Sequence, residues 1–163
     1  MSVVACRVDG GRIEISADSI VVRGYTQDKM PVNTGKLFAL NGLIIGSVGL
    51  GSEHGMMQIF ATTHKPAAPS CDAILSFLAE FAEWKKKLTD KYGIENQFLI
   101  AYQGHAFRSA DLFINEIFDY DAIGAGEDYA LAALYLGHDT VKAVETACEL
   151  CIYCEKPIKT LTM

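Results

Sequence analysis

Three cysteines, Cys148, Cys151 and Cys154, form a C-x2-C-x2-C run near the end of the chain. Closely spaced thiolates ligate zinc or iron–sulfur clusters. The run also fits inside an amphipathic helix that carries Val141, Val144 and Ala147. A regular helix spreads positions i, i+3 and i+6 over too long a span to hold one ion. No fourth Cys or His lies near in sequence, so the helical reading is the stronger. His54, His64, His105 and His138 show no i, i+4 ligand spacing and read as surface or capping residues. The glycines from Gly46 to Gly51 lack the following Lys-Ser or Lys-Thr of a phosphate loop. Ser2 is a different case. It follows Met1 directly, and its small side chain permits removal of that Met.

The elements that would position these residues come in blocks. Residues 3–8 and 12–17 read as a β-hairpin turned at Asp9-Gly10-Gly11, and 20–22 as a further short strand. Residues 27–34 are polar and read as a loop. Residues 36–40 and 43–48 form a second hairpin, turned at Asn41-Gly42. Ser52 is placed to cap a helix through Met56, Met57, Ile59 and Phe60, ended by Lys65-Pro66. Ser70 or Asp72 starts a longer helix. Ile74, Leu75, Phe77, Leu78, Phe81, Trp84 and Leu88 share one face of it, and Tyr92-Gly93 closes it. Strands follow at 98–102 and 106–108 across Gln103-Gly104, and 111–117 continues the sheet. Residues 118–123 lead into Gly124-Ala125-Gly126. A helix is expected over 127–135, another from an Asp139 cap to about 153, and a last short strand or tail over 157–162. Hairpin blocks separated by helix pairs imply an α+β fold: a four-layer α-β-β-α sandwich, with 1–163 as one domain.

Composition narrows the function. The chain has 163 residues, half of them hydrophobic, enough for a substantial core. Its 14 Lys and Arg against 20 Asp and Glu leave a formal charge of −6. That balance argues against nucleic acid, whose phosphates need clustered cations. The one basic run, Lys85-Lys86-Lys87, reads as a solvated helix end, where cations are favoured. No apolar run reaches the roughly 20 residues of a membrane span, and no secretory signal stands at the start. A soluble, cytoplasmic protein with five free thiols is expected.

Separated stretches, in order, resemble the proteasome β and HslV family of N-terminal-nucleophile (Ntn) hydrolases. They begin with Ser2-Val3-Val4-Ala5-Cys6 and Ala17-Asp18-Ser19. Gly35-Lys36-Leu37-Phe38-Ala39-Leu40 is similar to the family's lysine strand, and Ile45-Gly46-Ser47-Val48-Gly49 to the strand end that follows. Ala122-Ile123-Gly124-Ala125-Gly126 through Tyr129-Ala130-Leu131-Ala132-Ala133 resembles a strand feeding a helix, and Cys151-Ile152-Tyr153 a downstream motif.

The resemblance implies a peptidase whose mature first residue is the nucleophile. Counting back from Asp18 places that residue at Ser2. Its hydroxyl would attack a peptide carbonyl while its own α-amine, with a pKa of about 7.7–8.0, takes the proton. Lys36 would lower the pKa of the nucleophile or amine, Asp18 would hold Lys36, and the N–H near Gly49 would donate to the oxyanion. The resemblance also implies a homo-oligomeric ring, peptide or unfolded-protein substrates, and an ATP-dependent unfoldase. No cofactor is required. A structural monovalent cation on backbone carbonyls at Cys148, Cys151 and Cys154 is part of the same expectation. Two positions depart from the family pattern. Ala125 stands where a Ser usually helps polarise the terminal amine, and Glu149 stands where an Asp often supports it. The alternative is therefore a catalytically inactive, proteasome-like structural subunit; an amidase acting on a small amide fits the short chain less well. Plainer readings of the site stay open beside these: Ser2 as an ordinary terminus, Asp18 as a turn cap with Ser19, Lys36 as a solvated strand residue, and the glycines of 46–51 as turn formers.

Overall fold

The computed structural model describes residues 2–29 and 35–163. Eleven strands and four helices follow one another among these residues. Strands β1 (Val3–Asp9), β2 (Arg12–Ala17), β10 (Tyr120–Gly124) and β11 (Lys159–Thr162) form one antiparallel sheet in the order β10-β1-β2-β11. Strands β5 (Leu37–Leu40), β6 (Leu43–Val48), β7 (Gln97–Tyr102), β8 (His105–Ala110) and β9 (Phe113–Ile117) form a second, in sequence order. A two-stranded ribbon, β3 (Ile20–Arg23) with β4 (Thr26–Lys29), stands apart from both.

The period-2 pattern of the strands decides the layering, because alternate side chains point to opposite faces. Along β1, Val4 and Cys6 face the other sheet and join Ile13, Ile15, Leu37, Ile44 and Leu99 in the central core. Val3 and Ala5 face the opposite way, onto α3 (Glu127–Tyr135) and α4 (Thr140–Leu150). In the larger sheet, Phe38, Ile45, Phe98, Ile100 and Phe107 pack under α1 (Gly51–Phe60) and α2 (Cys71–Thr89). Phe60, Phe81, Phe98 and Phe107 are fully buried. Each such side chain is worth about 1.5–3 kcal/mol of burial. The result is the expected α+β sandwich: helices, sheet, sheet, helices. Met57, Phe77 and Phe81 of α1 and α2 lie in the same core.

Local signals account for much of the detail. The hairpins turn at Asn41-Gly42 and Gln103-Gly104, each pair at positive φ. The Ser70 hydroxyl accepts from Ala73 N–H, and Asp139 accepts from Lys142 N–H, so both are N-caps.

Several boundaries differ from expectation. Residues 27–29 extend as β4, because pairing with β3 supplies the hydrogen bonds that a polar sequence does not announce. The remainder of the expected loop, 30–34, lies outside the described residues. Helix α1 begins at Gly51 with Leu50 as N-cap and no side-chain cap, so Ser52 sits inside its first turn. It ends at Phe60 rather than at Lys65-Pro66, and the Asn41 side chain donates to the freed carbonyls of Ala61 and Thr62. Helix α2 closes at a left-handed Asp90, ahead of Tyr92-Gly93. Leu75 and Leu88 fall off its buried stripe, while Lys85 lies on it. The stretch 111–117 turns at Asp111 and Leu112 before β9 begins. Helix α4 stops at Leu150, so Cys151 is its C-cap and Cys154 lies beyond it. No helix among the described residues is long and apolar enough to cross a membrane.

Candidate active site

Ser2 sits at the leading end of β1, which pairs with β10 on one side and β2 on the other. Its carbonyl accepts the Gly126 N–H at 3.2 Å. Gly124 lies against the same carbonyl at φ 103, and a Cβ there would overlap the Ser2 oxygen. The backbone around Ser2 is thus fixed by close approach that only glycine allows. Ser2 is buried, at 4% exposure.

Asp18 follows the last residue of β2, across from Val3. The Asp18 N–H donates to Val3 O at 3.2 Å, and Val3 N–H donates back to Asp18 Oδ1 at 2.9 Å. Lys36 Nζ donates to that same Oδ1 at 2.7 Å. The other carboxylate oxygen accepts from Ile20 N–H (3.2 Å) and Glu155 N–H (3.3 Å). Four donors converge on one buried carboxylate, so its charge is compensated in a low-dielectric setting. Lys36 is held in turn by its place ahead of β5, where its carbonyl accepts Ser47 N–H at 3.0 Å. Burial pulls the Lys36 ammonium below its ordinary pKa, and the charge and hydrogen bond of Asp18 push the other way.

Ser2, Lys36 and Gly49 line one cavity of about 230 Å³. Ile20, Val21 and Val22 give it an apolar wall, and Ser47, His54 and Asn96 add polar groups. The structure thereby brings Ser2, Asp18, Lys36 and Gly49 into one neighbourhood from four separate stretches of chain, flanking β1, β2, β5 and β6. Gly49 has φ 131, a region other residues rarely adopt, and a Cβ there would overlap Asn96 Oδ1. The next residue, Leu50, is clamped: its N–H donates to Asn96 Oδ1 at 2.6 Å and its carbonyl accepts Asn96 Nδ2 at 3.0 Å.

Behind this clamp lies a buried ion pair. Lys85 Nζ donates to Glu53 Oε2 at 2.5 Å, with both side chains at 3% exposure or less. Glu53 also accepts from Asn96 N–H at 2.8 Å and Glu95 N–H at 3.0 Å. The expectation that Lys85 belongs to a solvated helix end is thus corrected: it is buried, because Glu53 supplies a partner 32 residues away. His54 is likewise not a surface or capping group. Its Nδ1 lies 2.5 Å from Ser47 Oγ beside the cavity, and its ring meets Phe38 edge-on. Burial lowers the His54 pKa, a bond to the Gly35 backbone opposes this, and Lys159 adds to the lowering.

Among the described residues no group of three or more His, Cys, Asp and Glu side chains is placed to hold a metal ion. Cys151 Sγ donates to Ala125 O at 3.5 Å, and the Cys151 carbonyl accepts Cys154 N–H at 3.1 Å. Burial, followed by the charge of Asp18, pushes the Cys148 thiol up to about 12 and also raises Cys154. Thiols raised this far stay protonated at neutral pH. Glu149 does not support position 125; it meets Lys156 at 3.1 Å on the surface.

Sequence reasoning missed Ser47, Glu53, His54, Lys85 and Asn96. For Lys85 a signal existed, since it continues the stripe of Ile74, Phe77, Leu78 and Phe81 at helical spacing. Asn96 carries no local signal.

No protein-family model and no curated protein sequence matches the chain. Solved structures do. The BPH of Thiobacillus denitrificans, solved alone and in complex with epoxomicin, superposes with TM-score 0.85 at 21% identity, covering 99% of this chain and 97% of that one. Eukaryotic HslV from Trypanosoma brucei gives 0.69 at 16% identity, covering 98% of each chain. Anbu, an ancestral β-subunit from Yersinia bercovieri, gives 0.72 at 12% identity, covering 98% of this chain and 80% of that one. The chain has the proteasome-like Ntn hydrolase fold.

Proposed function

We propose that this chain, on its proteasome-like Ntn fold, is a peptidase subunit that uses Ser2 as nucleophile once Met1 is removed. One observation carries the reading. A single Asp18 oxygen accepts both the Val3 N–H and the Lys36 ammonium, beside a cavity that Ser2, Lys36 and Gly49 line together. That oxygen holds the residue after the nucleophile and the Lys36 ammonium in one register.

The chemistry follows from those positions. Ser2 Oγ attacks the substrate carbonyl, and its proton passes to the Ser2 α-amine, directly or through a water. The charge of Lys36 favours the developing alkoxide, and Asp18 keeps that charge aimed. The Gly49 N–H donates to the oxyanion, an interaction typically worth about 2.7–4 kcal/mol. Collapse breaks the C–N bond, and the amine-held proton goes to the leaving nitrogen. Water then attacks the acyl-Ser2 ester by the same relay and restores the free hydroxyl. The nucleophile, base and cation all belong to the chain, so the reaction needs no cofactor. Ser lacks the γ-methyl that restricts χ1 in Thr, so its hydroxyl is held less firmly.

The substrates are peptides or unfolded protein. The subunit assembles as a homo-oligomeric ring in the cytoplasm, fed by an ATP-dependent unfoldase. Nucleic acid plays no part, given a net charge of −6. The BPH neighbour was solved with epoxomicin bound, which supports testing an inhibitor of that kind here.

Intact mass spectrometry of untagged protein, before and after incubation with a peptide epoxyketone, tests the proposal. Loss of Met1 and an adduct that vanishes in Ser2→Ala are expected. Retained Met1, or a free Ser2 that never labels, overturns the peptidase reading. One observation favours a second reading, an inactive structural subunit: Ala125 places no hydroxyl beside the segment that holds Ser2. That subunit would fold and assemble while remaining unlabelled.

A further inference from the structure

The loop that carries Gly49 has a cavity on each face. One is the cavity beside Ser2. The other, of about 250 Å³, lies behind Leu50 and includes Glu53, Lys85 and Glu95 in its lining. Leu50 lines both cavities and its side chain is exposed, so that side chain contributes little packing to fix the loop. Hydrogen bonds supply the alternative. The Asn96 carboxamide meets both backbone groups of Leu50, its Oδ1 taking the N–H at 2.6 Å and its Nδ2 giving to the carbonyl at 3.0 Å. The position of Asn96 is itself set, because its N–H donates to the buried Glu53, which Lys85 neutralises. A Cβ on Gly49 would overlap the same Asn96 oxygen, so the Asn96 side chain and the Gly49 backbone occupy one packed contact.

We propose that Asn96, anchored through Glu53 and Lys85, is a positioning residue that aims the Gly49 N–H at the oxyanion. The inference rests on the peptidase reading and adds a residue to it. Asn96 does not move protons or touch the nucleophile. It restrains the Gly49–Leu50 and Leu50–Gly51 peptides, and through them the adjoining Gly49 N–H, which must lie about 2.7–3.1 Å from an oxygen that exists only during attack. Its loss should therefore act on kcat and spare the groups that set the pH profile. A misplacement of about 1 Å at a reacting centre costs on the order of 100-fold in rate.

The test compares the full chain, Asn96→Ala and Asn96→Asp on a fluorogenic tripeptide, with inhibition by a peptide boronate measured alongside. Asn96→Ala is expected to lower kcat by about 10–100-fold while KM and the pH profile hold. The boronate places a tetrahedral oxygen where the oxyanion forms, so its Ki should rise by the same factor as kcat/KM falls. Asn96→Asp keeps the acceptor for Leu50 N–H and should fall between the two. If Asn96→Ala does not fold, Asn96→Asp carries the test with the same signature. A folded variant with unchanged kcat and boronate affinity overturns the proposal while the peptidase reading stands. A full chain that turns over nothing overturns both.

Discussion

Replacing Asp18 by Asn keeps the shape of the side chain and removes its charge. In the native site Oδ1 serves Val3 N–H and Lys36 Nζ, at 2.9 and 2.7 Å, while Oδ2 serves the N–H groups of Ile20 and Glu155. An Asn can satisfy only one side. Its carbonyl would keep Val3 and Lys36, and its NH2 would then face two N–H donors. Lys36, 9% exposed, would also lose its counter-charge. Removing one partner of a buried ion pair costs about 3–5 kcal/mol. For a chain of this size each kcal/mol moves Tm by roughly 2–4 °C, giving a fall of about 6–20 °C. Urea denaturation followed by Trp84 fluorescence measures the loss, since Trp84 is the sole tryptophan and packs on Phe60 and Phe81. Asp18→Asn with Lys36→Met removes both charges and should recover part of the stability, so the two changes are non-additive. A single-variant cost below about 1 kcal/mol, or strict additivity in the double variant, would refute the reasoning.

Two further outcomes follow from the buried groups. Lys85→Met should cost about 3–5 kcal/mol by leaving the Glu53 carboxylate unpaired, and Lys85→Met with Glu53→Gln should cost less than the single change; equilibrium unfolding of both variants decides it. His54 has its pKa lowered by burial, so below pH 6.5 the unfolded chain gains a proton that the folded chain resists. Stability should therefore fall as pH drops from 6.5 toward the folded value, with a slope of at most about 1.4 kcal/mol per pH unit. His54→Gln should flatten that slope between pH 5 and 6.5, and an unchanged slope in the variant would assign it to other groups.

The sequence by itself determined whatever rests on neighbours in the chain. Asn41-Gly42 and Gln103-Gly104 specify tight turns through residues that tolerate positive φ, and Ser70 and Asp139 cap helices through oxygens three residues from the N–H they accept. Alternation along β1 puts Val3 and Ala5 on one face and Val4 and Cys6 on the other, while which face meets helix and which meets sheet is left to packing, since all four are apolar. The order of hairpins and helix pairs was enough for the four layers. Ser2, Asp18 and Lys36 were legible only as an ordered resemblance, and their convergence on one oxygen is a fact of the fold.

What the tertiary structure decided lies in contacts between distant residues. Lys85 is buried because Glu53 meets it across 32 positions, and without that partner the desolvation of its ammonium would keep it in water. Asn96 became a clamp only when β7 brought it against Leu50, 46 positions away. Residues 27–29 extend because β3 offers them a ladder, and α4 stops at Leu150 because Cys151 takes an extended backbone. Local sequence sets torsions and faces, whereas the partner that makes a buried charge or a clamped loop affordable is chosen by the packing of the whole chain.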